Sequence, residues 1–161
     1  RELRELEAHG LPILSVQYEM LRVKRFDADF ATTAVHAIDA TRHIVGAPYA
    51  VVDFEHTSVT GSDRRGERHT ATASLLRCKF DGTDCKATIN LWPVTGAHSE
   101  RVTVCLHDHT FYLGGLGNDA EPLYPKGAEL LHVANGEVVQ RLSTCLSLSL
   151  SLSLSLSLSL S

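Results

Sequence analysis

Residues 27–54 read DADFATTAVHAIDATRHIVGAPYAVVDF, and the change of period inside this stretch sets the expected fold. Between Asp27 and Val45, the residues Phe30, Ala34, Ala37, Ile38, Thr41 and Val45 recur at helical spacing and form one stripe. Asp27 or Asp29 is placed to cap the exposed N–H groups, and a negative charge there suits the helix dipole. Gly46 supplies a left-handed stop, and Pro48 prevents the helix from resuming. Beyond it, Tyr49, Val51, Val52 and Phe54 are β-formers, so Pro48–His56 reads as a strand.

Working outward towards the C-terminus, Gly61–Arg68 is a polar loop with a basic run that reads as a solvated turn. His69–Phe80 and Thr83–Trp92 form a hairpin about Asp81-Gly82, a dipeptide suited to a two-residue turn. That register sets Cys78 opposite Cys85, at a wide hydrogen-bonded pair that does not favour a disulfide. It also gives Cys85, Ala87, Ile89 and Leu91 one face and Lys86, Thr88 and Asn90 the other. Pro93–Arg101 is a loop. Val102, Val104 and Leu106 alternate into a further strand, and His107–Thr110 is a turn before Phe111–Leu113. The segment Gly114–Gly127 holds four Gly and two Pro and reads as a linker. Leu130–Gln140 is a candidate small hairpin about Asn135-Gly136.

Towards the N-terminus the pattern is weaker. Arg1–Gly10 reads as a short charged helix with Leu3 and Leu6 on one side. Leu14–Arg22 alternates as a strand would, with a helix as the rival reading. The expected organisation is therefore a weakly patterned extension (1–26), one domain (27–113), a linker with a candidate hairpin (114–145) and a low-complexity tail (146–161). That tail is strict Leu-Ser alternation, the product of a translated CT dinucleotide repeat, and is set aside as an artefact. Arg1 is not Met, so the N-terminus reads as incomplete and the chain as a fragment.

The totals exclude more than they assign. A chain of 161 residues has room for one ordinary domain, and a formal charge of -4 argues against a nucleic-acid surface. The tail is too polar on alternate positions to be a transmembrane helix. Four cysteines are too few for a disulfide scaffold. The compartment stays open, with a slight lean to the cytoplasm, and membrane association is undetermined. Nine histidines invite a metal search, but His107 and His109 at i, i+2 have no third ligand indicated. Cys78 and Cys85 are spaced beyond a zinc knuckle. No Gly-x-Ser-x-Gly, phosphate-binding Gly-rich loop or Gly-x-Gly-x-x-Gly occurs. No catalytic, cofactor-binding or metal residue is assigned, no cofactor is expected, and the chain is expected not to be an enzyme.

The run Gly46-Ala47-Pro48-Tyr49-Ala50-Val51-Val52-Asp53-Phe54, after an Ala-rich helix, resembles the start of the first long strand in the latexin and tazarotene-induced (retinoic acid receptor responder) family. Asp84-Cys85-Lys86-Ala87-Thr88-Ile89-Asn90-Leu91-Trp92-Pro93 resembles that family's Asn-Cys-x-Ala-x-Val strand. Arg101–Val104, Thr110-Phe111-Tyr112 and Glu121-Pro122-Leu123 follow in the family's order, so the resemblance covers about residues 31–123. It implies an α+β, cystatin-like fold, one long helix packed on an antiparallel β-sheet meander. It further implies a protease-inhibitor module, of the kind that blocks a metallocarboxypeptidase (a metalloenzyme) by covering its active site. Only the first of that family's two halves is represented, which leaves inhibition by this chain alone open. One alternative is a cystatin-type cysteine-protease inhibitor, with Thr57–Gly61 in the place of the inhibitory hairpin. The other is a noncatalytic, membrane-associated regulator of the retinoid-responsive type. The protein-contact candidates are Val59, Thr60, Gly61, Trp92 and Pro93, and the expected partner is a protease rather than nucleic acid.

Overall fold

The computed structural model describes residues 2–23, 27–62, 65–95, 98–114 and 128–144. The Leu-Ser repeat, Cys145, most of the linker and Glu121-Pro122-Leu123 lie outside the described residues, as do the side chains of Asp27, Asp29 and Phe30. The elements run α1 (Glu2–Ala8), β1 (Ser15–Leu21), α2 (Asp27–Val45), β2 (Tyr49–Ser62), β3 (Arg68–Phe80), β4 (Lys86–Trp92), β5 (Ser99–Leu106), β6 (His109–Gly114), β7 (Ala128–Ala134) and β8 (Glu137–Thr144).

Helix α2 ends for the reasons its sequence gives. Gly46 takes φ +75° and returns its N–H to the Arg42 carbonyl at 2.9 Å. Arg4 of α1 then donates to the neighbouring His43 carbonyl at 2.6 Å and to Glu7 at 2.6 Å, so a side chain from another helix satisfies the end of this one. Ala37, Thr41 and Val45 are buried on the inner stripe, with Ala34 and Ile38 packed beside them. The Thr41 hydroxyl avoids an unpaired burial by donating to the Ala37 carbonyl at 2.8 Å. The Tyr49 ring stacks on Phe80 at 4.9 Å, and its hydroxyl reaches the Ile38 carbonyl at 2.7 Å, tying β2 to the helix.

The eight strands form one sheet in the order β2-β3-β4-β1-β5-β6-β7-β8. Strand β1 lies near its middle, parallel to β4 and antiparallel to β5, and every other neighbouring pair is antiparallel. Alternation explains how β1 holds that place. Val16, Tyr18 and Met20 are buried on the face that α2 covers, while Gln17 points to the other face. Ile89, Leu91, Val102, Val104, Leu76 and Phe80 complete the same core.

This architecture corrects the expected cystatin-like fold. A long helix on an antiparallel meander contains no parallel strand pair, whereas β1 and β4 run parallel over seven residue pairs. Among the described residues the sheet is mixed and eight-stranded, with two helices of 7 and 19 residues. The strand that makes the difference, β1, falls in the segment whose pattern looked weakest.

The β3–β4 hairpin also differs from its expected form. Cys78 pairs with Ala87, two positions from the expected Cys85. The Asp81 N–H goes to the Pro48 carbonyl at 3.0 Å, and the Cys85 N–H goes to the Thr83 hydroxyl at 2.9 Å. Residues 81–85 thereby leave the ladder, and the turn is longer than two residues. A slip of two preserves the faces, so Cys85, Ala87, Ile89 and Leu91 are buried together as expected. Cys78 and Cys85 are free thiols.

Candidate functional site

The outward face of α2 carries the chemistry that its inner stripe does not. His36, Asp39 and His43 stand at i, i+3 and i+7 and are all exposed, with Arg42 beside them. At the C-terminal end of the helix, Arg4, Asp39, Arg42, His43, Gly46, Ala47 and Pro48 line an open cleft of about 700 Å³. The helix end and the Gly46–Pro48 turn set its floor. A Cβ at Gly46 would stand 3.3 Å from the Arg4 guanidinium, so the turn and α1 approach closely there. Guanidinium and imidazole donors beside one carboxylate acceptor suit a polar ligand with several hydroxyl or acidic groups. The apolar period of the helix marks only its inner stripe. The signal for this face was available in the intervening positions 36, 39, 42 and 43.

A second polar constellation sits where the parallel pair ends. The Arg22 N–H donates to the Trp92 carbonyl at 2.8 Å, and the Arg22 carbonyl accepts from the Thr95 N–H at 2.8 Å and hydroxyl at 2.9 Å. Arg22 is 6% exposed, and its guanidinium donates to the Leu21 carbonyl at 2.9 Å and pairs with the Glu100 carboxylate. Tyr18 donates to the other Glu100 oxygen at 2.8 Å. Burial, and then the Glu100 charge, pushes the Tyr18 hydroxyl well above the ordinary phenol range. These donors are committed within the protein, so the cluster acts as a brace joining β1, β4 and β5 rather than as a ligand site.

The contact candidates divide between two places. Val59, Thr60 and Gly61 pair with Ala71, Thr70 and His69 inside the edge strand β2, in extended ladder rather than in an inhibitory hairpin loop. Trp92 closes β4 opposite Leu21 and is 39% exposed, and Pro93 beyond it is buried next to the Arg22 brace. Strand β3 runs between the two groups. Among the described residues no group of three or more His, Cys, Asp or Glu could hold a metal ion. His107 contacts Asp108 at 2.7 Å in the turn, while His109 faces His132 instead. Among the described residues no helix is long and apolar enough to cross a membrane.

No protein-family profile and no curated protein sequence matches the chain. Solved structures do match its fold. A dehydrogenase of Clostridium difficile superposes with a TM-score of 0.56 at 12% identity, covering 88% of this chain and 42% of its own. The UDP-N-acetylglucosamine 3-dehydrogenase of Acidithiobacillus ferrooxidans gives 0.56 at 14% identity, over 88% of this chain and 43% of its own. A Bacillus subtilis protein assigned to the oxidoreductases gives 0.53 at 16% identity, over 89% and 46%. The chain thus spans less than half the length of these proteins.

The likeness overturns the latexin resemblance, and with it the expectations of a metallocarboxypeptidase inhibitor, a cysteine-protease inhibitor, a retinoid-responsive regulator and a nonenzymatic fold. The motifs behind that resemblance were short strand-and-turn pieces, which unrelated sheets share. The fold is one found in dehydrogenases. The dinucleotide that serves many such enzymes rests on a Gly-rich turn between a strand and a helix. The present chain does not fit that group. Its β1-to-α2 connection, residues 22–26, contains no glycine, and the Gly-x-Gly-x-x-Ala run at Gly115–Ala120 falls between β6 and β7, outside the described residues.

Proposed function

We propose that this chain is the substrate-side portion of a dehydrogenase-type protein, with the hydride carrier held by residues outside it. The observation that supports this reading is the fold likeness to dehydrogenases over 88% of the chain, coupled with the absence of glycine from its β1-to-α2 connection. The charged cleft beside α2 is the site proposed to receive substrate, and its donor set suits a polyhydroxylated molecule, free or carried on a nucleotide. The matched UDP-N-acetylglucosamine dehydrogenase makes nucleotide sugars the first ligands to try.

Amide chemical shifts test the reading directly. Titration with UDP-N-acetylglucosamine, free hexoses and polyols is expected to move the amides of Arg42, His43 and Gly46. Titration with oxidised or reduced nicotinamide dinucleotides is expected to move none in a saturable way. Arg42→Ala should weaken sugar binding about tenfold, the loss expected for one charge-assisted hydrogen bond. A folded chain whose cleft amides ignore every sugar would remove the substrate-side reading. Saturable dinucleotide binding with hydride turnover by this chain alone would remove the proposal that the carrier sits elsewhere.

A further inference from the structure

The cleft at the end of α2 differs from the Arg22 brace in having donors to spare. Arg4 reaches it from α1, whereas Arg42 and His43 stand on α2 itself. The Arg4 Nη1 donates to Glu7 Oε2 and its Nη2 to the His43 carbonyl, each at 2.6 Å. A Cβ at Gly46 would lie 3.3 and 3.5 Å from these two nitrogens and 3.7 Å from the guanidinium carbon. The nitrogens are the nearer atoms, so the end of the guanidinium points into the Gly46 turn. A guanidinium has five N–H donors, and the two internal bonds leave three of them. The Arg4 side chain is 47% exposed, so those donors remain open to the cleft that it lines.

Asp39 stands three residues before Arg42 and four before His43, spacings at which helical side chains pair. Among the described residues none of these three side chains forms a hydrogen bond or an ion pair. A helix C-terminus by itself disfavours an anion, because its free carbonyls carry negative charge. Here the Gly46 N–H takes the Arg42 carbonyl and the Arg4 guanidinium takes the His43 carbonyl, which removes two of them. Among the described residues lining the cleft, two guanidinium groups then face one carboxylate, Asp39. Glu7, which does not line this cleft, offsets part of the Arg4 charge and fixes where the group sits.

We infer that Arg4 and Arg42 grip a phosphoryl oxyanion of the ligand while Asp39 accepts from its hydroxyls, so that the cleft prefers phosphorylated sugars to free ones. The inference deepens the substrate-side reading and rests on the same cleft. Guanidinium groups recognise carboxylates and phosphates alike. Donors that arrive from two elements approach the anion from two directions, which the three oxygens of a phosphoryl group satisfy more fully than the single plane of a carboxylate. Arg4 rides on α1, whose Leu3 and Leu6 pack at the edge of the core. An oxyanion held by both guanidinium groups therefore ties α1 to the end of α2, and by linkage a docked α1 raises the affinity for that oxyanion.

Affinities of the full chain for N-acetylglucosamine, its 1-phosphate, UDP-N-acetylglucosamine and inorganic pyrophosphate test the grip, read from amide and arginine Nε chemical shifts. The phosphorylated sugars should bind about tenfold tighter than the free sugar and lose that margin as salt rises from about 0.05 M to about 0.5 M. Arg4→Gln should weaken their binding about tenfold and leave the free sugar unchanged. Amides of residues 4–8 should exchange more slowly with a phosphorylated ligand bound than with the free sugar. Tight binding of either the 1-phosphate or the nucleotide form supports the grip. Equal affinity for free and phosphorylated sugars would overturn it while leaving the substrate-side reading in place. Pyrophosphate binding as tightly as UDP-N-acetylglucosamine, with no response to the free sugar, would uphold the grip and remove the sugar reading. If Arg4→Gln does not fold, the salt series on the unaltered chain decides: a preference for phosphorylated sugars that salt does not reduce refutes the grip.

Discussion

A single carboxylate, Glu100 on β5, ties that strand to β1, while the Arg22 backbone N–H beside it ties β1 to β4 through the Trp92 carbonyl. The two Glu100 oxygens take the Tyr18 hydroxyl and the Arg22 guanidinium, and the Arg22 and Glu100 side chains are 7% and 16% exposed. The two contacts differ in kind. Removing the Tyr18 hydroxyl deletes one neutral donor, and Glu100 keeps its charge partner. Neutralising Glu100 leaves a buried guanidinium with neutral acceptors only, the Leu21 and Ser99 carbonyls among them. Tyr18→Phe should therefore cost about 1 kcal/mol and Glu100→Gln about 3 kcal/mol in urea unfolding. Equal losses for the two variants would mean that the ion pair contributes no more than the hydroxyl. None of this brace was legible in the sequence, because Tyr18 and Glu100 are 82 positions apart and Arg22 reads locally as the solvated end of a strand.

At the scale of elements, local chemistry carried furthest where the chain decides its own conformation. Helix α2 has the bounds its period and its Gly46 stop implied, Asp27–Val45. The Asn135-Gly136 turn is formed, with Asn135 at φ 51° and Gly136 at φ 82°, which is the two-residue turn whose twist suits a hairpin. An added Cβ at Gly136 meets no atom within 4 Å, so substitution there tests backbone strain without crowding. Gly136→Ala should destabilise the chain by about 1 kcal/mol, with increased amide exchange concentrated in β7 and β8. An unchanged unfolding midpoint would mean that this hairpin contributes little to the cooperative unit. The Asp81-Gly82 turn carries the same kind of signal and was misread in length. A backbone partner from elsewhere, the Pro48 carbonyl, draws Asp81 out of the ladder, and no local pattern announces a tertiary hydrogen bond. The cleft beside α2 is hidden for a related reason: helical spacing marks the core stripe, while Asp39, Arg42 and His43 look like an ordinary solvated face until Arg4 and the Gly46–Pro48 turn close on them.

For the whole molecule, sheet order is the property that local pattern carries least, because strand pairing is set by contacts remote in sequence. Strand β1 shows this most sharply. Seven residues from the segment that looked like an extension pair on one side with β4 and on the other with β5, from residues 86–92 and 99–105. Val16 and Met20 are fully buried between them and α2. Had 27–113 been the folding unit, removing residues 1–23 would leave a meander with its core intact. In the observed sheet the same cut removes the only strand that joins β4 to β5 and exposes both of their inner edges. It also removes Tyr18 and Arg22 from the Glu100 brace and Arg4 from the end of α2. A chain starting at residue 24 is therefore expected to lose cooperative thermal unfolding and to expose apolar surface to a hydrophobic dye, since so small a domain cannot spare its central strand. Adding a synthetic peptide of residues 1–23 should restore part of the cooperative transition, as a missing strand does when supplied in trans. A truncated chain that melts cooperatively without the peptide would show that β4 and β5 close on each other, and that β1 is not what orders the sheet.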